Sequence, residues 1–534
     1  MDKRSGQAKW LALHRHQLSV ALTMSIGIAK YINEFIDPYW IASQSFWDTE
    51  YKKKLPSSMP WQTFSDYMEL FLFNCQIWKD GYLGMTREQN EYLKKEMDRL
   101  KQVDQTSDED FFEYWEKLDE HVKSLVYEFP KDIEKAEGFG FNFSDPRYQL
   151  VAETPRFNLY QVLPWDSGIE VNHELKPIII IHPYVLGGNI LAFDPDGRKS
   201  YVHAFANTGV PTYFRSLKDI TNPAVQTMSG EDDALDTKYF CRLLKEKHGR
   251  QVTLNGFCQG GFIAALDILS GELDGLADAL ITCVAPMDGT RSEALVEYMN
   301  HLPERYRDLD YGEKYLQNGN AIVAGKVMSW VYKLKSMYKE APGAAFFREL
   351  AAVRSSEDMT VKVPKTAAYL LHWIKYDRAD LPREITMLSF LSYTEPVSAD
   401  GTLPVRLFGR PLNFSDFRKK NIKYLLCYAE EDDLVDRPAA VVPTEFADVE
   451  VTVFPKGHGS IATSWSHPKS ACALHLEFEH KGKKYRGPVK WQLDLSAGKD
   501  KQTPMIPAND KDVQKALAPA SETYMITRGV RRVA

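Results

Sequence analysis

The sequence has few cysteines, and they are scattered along its 534 residues. Six occur, at positions 75, 241, 258, 283, 427 and 472, and no two of them form a Cys-x-x-Cys pair. A disulfide framework or a zinc knuckle needs closely spaced cysteines, so this spacing argues against both and favours a reducing compartment. We therefore predict a cytoplasmic protein without a metal site and without a bound cofactor.

The sequence also lacks a long apolar run. The strongest candidate, residues 18–29, is closed by Lys30, and a membrane-spanning helix needs about 20 apolar residues. Helical periodicity continues past Lys30 through Ile32, which favours an amphipathic helix over a cleaved signal peptide. No transmembrane segment is expected.

An excess of positive charge is absent as well. The chain has 66 Lys and Arg against 73 Asp and Glu, a net charge of −7. A protein dedicated to nucleic acid normally presents a basic face, so the charge argues against a nucleic-acid partner. The hydrophobic content of 44% and the length are typical of a globular protein with several domains.

A glycine-rich segment around one cysteine is the most informative part of the sequence. The hexapeptide Gly256-Phe257-Cys258-Gln259-Gly260-Gly261 follows a strand-like pattern and precedes an apolar, helix-like run. This order is typical of a nucleophile elbow, with cysteine where hydrolases usually carry serine. We expect a β-carbon to collide at Gly256 and Gly260 in such a turn, and we expect both to need backbone angles that only glycine adopts cheaply. The helix dipole is expected to favour a thiolate at Cys258.

A cysteine nucleophile needs a base, and the base needs an acid that orients it. In an α/β-hydrolase the chain order is nucleophile, acid, histidine. The strand-like segment 422–428 runs into the acidic stretch 429–436. We predict Asp432 as the acid, with Asp433 as the second candidate.

The histidine is expected after the next strand. Segment 449–454 has a strand pattern and is followed by Gly457-His458-Gly459. We predict His458 as the general base, and His467 and His475 are the alternatives.

The oxyanion hole of such an enzyme combines two backbone N–H groups. One belongs to Gln259, directly after the nucleophile. The other comes from the loop after the apolar strand 178–181, where Pro183 has no N–H, so Tyr184 or Val185 must donate. His182 in the same loop is expected to form a wall of the pocket.

These patterns together predict an α/β fold of the α/β-hydrolase type, a doubly wound and mostly parallel sheet with an inserted cap and a helical N-terminal domain. Segments 474–479 and 489–495 alternate around a glycine-containing turn and predict a C-terminal β-hairpin. The predicted domains are 1–148 (helical), 149–290 (first part of the core), 291–415 (cap), 416–470 (second part of the core) and 471–534 (hairpin and tail).

Cysteine in place of serine points to a thioester substrate. Transfer of an acyl group from a thioester to a thiol is close to an even exchange, so the acyl-enzyme keeps enough energy to be captured by an alcohol. The chemistry favours a coenzyme A ester as donor, with coenzyme A as the leaving group. Cysteine hydrolases exist too, so this inference leaves hydrolysis open.

The sequence resembles the polyhydroxyalkanoate synthases, most clearly over residues 150–470. The family's Gly-x-Cys-x-Gly-Gly box matches 256–261, its acidic element resembles 431–435, and its Gly-His element matches 457–458. The loop 182–185 and a following aspartate, Asp194, are similar to the family. The stretch 373–382, with Trp373 and Asp377, matches a Trp-x-x-x-Asp-x-x-x-Leu-Pro element of its cap.

The resemblance implies polymerisation of 3-hydroxyacyl-CoA with release of coenzyme A. Cys258 would carry the chain, His458 would deprotonate the thiol and the incoming hydroxyl, and Asp432 would orient His458. It also implies substrate contacts at Asp194, Trp373 and Asp377, a homodimer, and a place on the surface of polyester granules. The alternatives are a cysteine hydrolase of esters, thioesters or polyester, similar to intracellular depolymerases, and a non-catalytic granule or scaffold protein.

Overall fold

The computed structural model describes residues 3–103, 108–293, 295–296, 302, 309–328, 342–354 and 365–498. We label the helices α1 (Lys3–Lys52), α2 (Leu55–Ser58), α3 (Pro60–Val103), α4 (Asp108–Lys123), α5 (Phe129–Lys135), α6 (Tyr201–Ala206), α7 (Pro223–Gln226), α8 (Gly230–His248), α9 (Gln259–Leu269), α10 (Pro342–Arg354), α11 (Lys365–Tyr376), α12 (Arg383–Thr394), α13 (Asp416–Lys419), α14 (Arg437–Ala440) and α15 (Pro488–Ser496). The strands are β1 (Tyr148–Glu153), β2 (Phe157–Val162), β3 (Ile178–Ile181), β4 (Thr212–Leu217), β5 (Val252–Phe257), β6 (Ala277–Cys283), β7 (Glu313–Tyr315), β8 (Ala321–Val323), β9 (Leu381–Pro382), β10 (Thr402–Leu407), β11 (Arg410–Asn413), β12 (Lys423–Ala429), β13 (Val449–Phe454), β14 (Glu477–His480) and β15 (Lys483–Arg486).

The chain forms two compact units, and each is built from two separate stretches. The first unit comprises Met1–Phe139 and Tyr298–Asp380, and the second comprises Gly140–Glu297 and Leu381–Ala534. The predicted cap, 291–415, is therefore not a single unit: most of it groups with the N-terminal helices, and the rest groups with the sheet.

The first unit is held together by apolar helix faces. Side chains from α1, α3, α4 and α10 share one buried cluster, which includes Val20, Tyr92, Val122, Phe346 and Leu350. Because α10 supplies Phe346 and Leu350 to this cluster, the segment around it belongs with the N-terminal helices rather than with the sheet. The two aromatic residues of α10, Phe346 and Phe347, are adjacent in sequence and give no indication of which helices they will contact.

The apolar segment 18–29 lies inside α1. The segment is helical, as predicted, and it buries Val20. Leu18 and Leu22 are exposed, so its apolar side chains are not confined to the buried face of the helix. Within the described part of the chain, no helix combines the length and the apolar character needed to cross a membrane.

The second unit contains an eight-stranded sheet in the order β1-β2-β4-β3-β5-β6-β12-β13. The pairs from β4 to β13 are parallel, and β2 runs antiparallel to both β1 and β4. All four isoleucines of β3 are buried, as expected for a strand covered on both faces. This strand order, with a sharp turn directly after the central strand β5, is the α/β-hydrolase fold, so the predicted fold class is confirmed.

The C-terminal hairpin differs from its prediction. Its strands are β14 and β15, joined at Lys481 and Gly482, which both have positive φ. The segment predicted as the second strand, 489–495, lies in helix α15 instead. Pro488 stands in the first turn of that helix, where the fixed φ of proline is favourable and its missing N–H is not needed. The predicted polar tail from residue 499 onward lies outside the described residues.

Candidate active site

Cys258 stands at the turn between strand β5 and helix α9. Its backbone has φ 51° and ψ −125°, a conformation that non-glycine residues rarely adopt. The Cys258 N–H donates to the Cys283 carbonyl at 2.8 Å, which ties the turn to the neighbouring strand β6. Such a backbone strain, typically about 1–3 kcal/mol, persists only where the surrounding structure enforces it. Cys258 is also the N-cap of α9, so its side chain lies at the positive end of the helix dipole.

The glycines around Cys258 are required by close packing rather than by their backbone angles. A β-carbon at Gly256 would lie 2.2 Å from the Gly260 carbonyl oxygen, and one at Gly260 would lie 2.4 Å from the Ile181 carbonyl oxygen. At Gly261 it would meet Ala285 at 2.6 Å. The predicted collision of a β-carbon at Gly256 and Gly260 is therefore confirmed. The special backbone angles predicted for these two glycines are not found, because the positive φ falls on the cysteine itself.

The register of two parallel strands brings the predicted acid and base together. Ala429 at the end of β12 pairs with Phe454 at the end of β13, so the loops that follow start side by side. His458 Nδ1 and Asp432 Oδ2 are 2.7 Å apart, and the Asp432 side chain is fully buried. Its other oxygen, Oδ1, accepts the N–H groups of Leu434 and Val435, each at 2.9 Å. The carboxylate is thus fixed from both sides.

The opposite edge of the imidazole is directed to the thiol. His458 Nε2 is buried and makes no hydrogen bond of normal geometry within the described chain. Burial disfavours a charged ring, but the Asp432 carboxylate and the Cys258 thiol outweigh it and hold the pKa of His458 well above its usual value. The ring of Phe257 packs edge-on against His458, with 6.2 Å between centroids. The imidazole therefore lies between a fixed carboxylate and the Cys258 thiol.

Strand pairing also places the loop after β3 beside the elbow. Ile181, the last residue of β3, pairs with Gly256 near the end of β5. In that loop the Val185 N–H points toward the start of α9, where it donates to the Gln259 side-chain oxygen at 3.0 Å. The backbone N–H of Gln259 is in the first turn of α9 and has no acceptor within the helix. Val185 and Gln259 are thus the pair of donors that the geometry offers for an oxyanion.

Tyr184, the other predicted donor, directs its side chain into a buried ionic cluster. Its hydroxyl donates to Asp233 and accepts from Arg215 Nη2 at 2.5 Å. Arg215, from β4, also donates to Asp233 Oδ1 at 2.6 Å and lies 3.8 Å from Asp267 of α9. Burial, followed by the charge of Asp233, raises the pKa of Asp267 well above its usual value, so the cluster is held close to neutral. The sequence patterns do not identify this cluster, which fixes the loop after β3 through the Tyr184 hydroxyl.

The ring of His182 is held by two backbone contacts. The Leu217 N–H donates to His182 Nε2 at 3.3 Å, so the ring proton is on Nδ1 and faces the Pro183 carbonyl at 3.0 Å. Burial lowers the pKa of His182 to about 4. A neutral ring with both nitrogens engaged in backbone contacts has no free position for proton transfer.

The three residues predicted to bind substrate are divided between the two units. Asp194 is buried in a tight turn of the second unit, where its carboxylate accepts the Gly197 N–H at 3.1 Å. Trp373 and Asp377 belong to the first unit, in α11 and just after it, where Arg378 donates to the carbonyls of both. Their role in substrate binding stays a prediction.

Asp432 pairs with His458 rather than with either alternative histidine, His467 or His475. His467 Nδ1 accepts the Lys469 N–H at 3.1 Å, and burial lowers the pKa of both His467 and His475. Within the described residues, no group of three or more His, Cys, Asp or Glu side chains is arranged to hold a metal ion.

Comparison with known proteins gives no family and only distant structural likenesses. No family profile and no curated protein matches the sequence. Among solved structures, the chain is similar to Est1E from Butyrivibrio proteoclasticus (11% identity, 58% of this chain and 89% of that chain, TM-score 0.29). It is also similar to an alpha/beta hydrolase fold protein from Chitinophaga pinensis (10%, 68% and 100%, 0.30) and to the thioesterase domain from the curacin biosynthetic pathway (11%, 60% and 95%, 0.31). Likenesses of this size give no information on the substrate.

Proposed function

We propose that this protein is an acyltransferase of the polyhydroxyalkanoate synthase type, which polymerises 3-hydroxyacyl-CoA through an acyl-enzyme on Cys258. The observation that carries the proposal is a cysteine at the apex of a nucleophile elbow whose neighbouring histidine is hydrogen-bonded to Asp432 at 2.7 Å. The arrangement matches the nucleophile, base and orienting acid of a catalytic triad.

In the first half-reaction, Cys258 Sγ attacks the thioester carbonyl carbon while His458 takes the thiol proton. The carbonyl electrons move to oxygen, and the N–H groups of Val185 and Gln259 stabilise that oxyanion. When the intermediate collapses, the coenzyme A thiolate leaves and His458 returns a proton to it. The product is a thioester on Cys258.

In the second half-reaction, the hydroxyl of a 3-hydroxyacyl group attacks the acyl-enzyme. His458 accepts the hydroxyl proton, an oxygen ester forms, and the Cys258 thiol is regenerated. A thioester on cysteine is higher in energy than the oxygen ester that it forms, so the transfer runs toward polymer. A serine enzyme would lose this driving force when it formed its own ester.

The remaining assignments belong to the same proposal. Substrate contacts at Asp194, Trp373 and Asp377, a homodimer and attachment to polyester granules are supported by the sequence resemblance alone. A cytoplasmic location is supported by the scattered cysteines. Coenzyme A enters only as the leaving group of the donor.

The test supplies 3-hydroxybutyryl-CoA and measures released coenzyme A together with the acyl product. Polymer supports the proposal, whereas free 3-hydroxybutyrate alone would identify a cysteine hydrolase instead. Cys258→Ala is expected to abolish coenzyme A release, and Cys472→Ala, which removes another buried thiol, is the matched control that should retain it. A folded wild-type protein that neither releases coenzyme A nor forms an acyl-enzyme with any thioester would favour a non-catalytic scaffold.

A further inference from the structure

The side chain of Gln259 accepts the hydrogen bond of the Val185 N–H, a donor that an acyl carbonyl would need. Its Oε1 accepts the Val185 N–H at 3.0 Å, and its Nε2 donates to Ser389 Oγ at 2.5 Å. The orientation of the amide group follows from chemistry, because a backbone N–H can only donate and must therefore face the oxygen. Gln259 is 6% exposed, so both contacts are shielded from water.

One residue thus acts on the oxyanion site in two opposite ways. The backbone N–H of Gln259 lies directly after the nucleophile and can bind an oxyanion. Its side-chain oxygen, by contrast, accepts the N–H of Val185, which is the second donor. A buried N–H without an acceptor is unfavourable, so the resting site gains stability from the Gln259 oxygen. That oxygen holds the position which the substrate oxygen takes during acylation.

Ser389 fixes the far end of the Gln259 side chain from helix α12. The helix is itself packed on the second unit: Leu388 lies against Gly230 at the start of α8, and Ile385 is buried. The Ser389 hydroxyl is therefore held by a fixed helix rather than by a free loop. Gln259 is consequently clamped at both ends, between the oxyanion loop and α12.

We propose that the Gln259 carboxamide is a resident placeholder for the acyl carbonyl, and that Ser389 sets how tightly it is held. The side chain must leave the Val185 N–H as the carbonyl oxygen of the substrate arrives. Gln259 and Ser389 are then specificity-determining residues, because a substrate that cannot displace the amide does not acylate Cys258. The inference rests on the proposed function in one respect, namely that Val185 and Gln259 supply the oxyanion donors.

The test compares two reactions of the same thiol. In acylation by p-nitrophenyl acetate, a bond forms between Cys258 Sγ and the acetyl carbon, p-nitrophenolate leaves, and an oxyanion develops on the way. In alkylation by iodoacetamide, sulfur displaces iodide from a saturated carbon and no oxyanion forms. The ratio of the two rate constants therefore isolates the oxyanion site from the reactivity of the thiol. Both are measured in a Cys75→Ala background, because Cys75 is an exposed thiol.

The substitution Gln259→Met keeps the length of the side chain and removes its hydrogen bonds. Since a net hydrogen bond corresponds to a factor of roughly three to ten, the acylation-to-alkylation ratio is expected to rise by about that factor. Ser389→Ala, which releases only the far end, is expected to raise the ratio in the same direction by a smaller factor. Thr394→Ala, a hydroxyl deletion on the same helix whose Oγ1 donates to the Phe390 carbonyl at 3.1 Å, is the matched control and should leave the ratio unchanged.

An unchanged or lower ratio in both Gln259→Met and Ser389→Ala, with acylation still measurable, would overturn the placeholder and leave the proposed function intact. The Ser389 variant keeps the test decisive if the methionine variant does not fold. If Cys258 is alkylated in every variant but never acylated, the proposed function fails and this inference fails with it.

Discussion

The Asp432 carboxylate holds the ring of His458 with one oxygen and is itself held by two backbone N–H groups through the other. The distances are 2.7 Å to Nδ1 of the ring and 2.9 Å to the N–H of each of Leu434 and Val435. The pairing of β12 with β13 brings the two loops together, and the backbone contacts fix the angle of the carboxylate. The ring is therefore oriented before any substrate binds.

Asp432→Asn is expected to slow acylation of Cys258 by roughly 10³- to 10⁴-fold, the size seen when a triad acid becomes an amide that no longer favours the right tautomer. The measurement is the burst of p-nitrophenolate from p-nitrophenyl acetate. The adjacent Asp433→Asn is the control and should change the rate by less than about threefold, within the small effects usual for substitutions away from such a site. Equal losses in the two variants would contradict the assignment of the acid.

Asp436→Asn is expected to raise the free energy of unfolding above that of the wild-type protein at pH 8, and to do so less at pH 4.5. Burial raises the pKa of Asp436 to about 6, and its Oδ2 accepts the Glu293 N–H, which asparagine can also do. Because the folded state has the higher pKa, the stabilising contribution of the protonated group is present below about pH 4 and is lost as the pH rises through about 6. After allowance for solvent screening, the gain at pH 8 is about 1–2 kcal/mol, measured from urea unfolding.

The control for Asp436 is an aspartate with the opposite shift. Hydrogen bonding from Ser398, first among its contacts, lowers the pKa of the exposed Asp400. A lowered folded pKa stabilises above the unfolded value and is lost as the pH falls, so Asp400→Asn should weaken the protein at pH 8 rather than strengthen it. If both variants respond to pH in the same direction, the explanation by burial is wrong.

Gly256→Ala is expected to destabilise the protein by at least about 3 kcal/mol, the upper end of what an added methyl group costs in a packed core. The new β-carbon would stand 2.2 Å from the Gly260 carbonyl oxygen and 2.3 Å from the Gly261 α-carbon, and neither backbone atom can move without distorting the elbow. Gly459→Ala, where the nearest atom is 3.5 Å away, should be tolerated. The readout is the urea unfolding midpoint, and similar midpoints for the two variants would contradict the steric argument.

Arg215→Met is expected to cost about 3–5 kcal/mol of unfolding free energy, because it leaves Asp233 buried without its cation. Arg418→Met is the matched control. Arg418 forms an exposed pair with Asp448 at 3.5 Å, and such pairs contribute about 0–1 kcal/mol. Adding Asp233→Asn to the Arg215 variant should recover part of the loss, since it removes the unpaired charge. A double variant weaker than the single one would argue against an electrostatic origin.

The sheet and the Asp432–His458 pair were accessible from the sequence for one physical reason. Parallel strands buried on both faces are short apolar runs, and the residues after their carboxyl ends meet at one edge of the sheet. Chain order then leaves few choices of acid and base. The box around Cys258 adds a spacing of glycines that is rare by chance.

Other features depend on contacts that no local pattern records. Arg215, Asp233 and Asp267 look like surface residues in a sequence and are buried together in the structure. The Gln259 side chain meets Ser389, 130 residues away along the chain. The segment 489–495 alternates like a strand, yet Pro488 starts a helix there.

The two-stretch construction of each unit has a consequence for biosynthesis. Helices α1, α3 and α4 leave the ribosome before α10, whose Phe346 and Leu350 complete their shared core. At about 5–20 residues per second, the first helices wait on the order of ten seconds or more with apolar faces uncovered. The growing chain is therefore expected to need chaperone protection during translation.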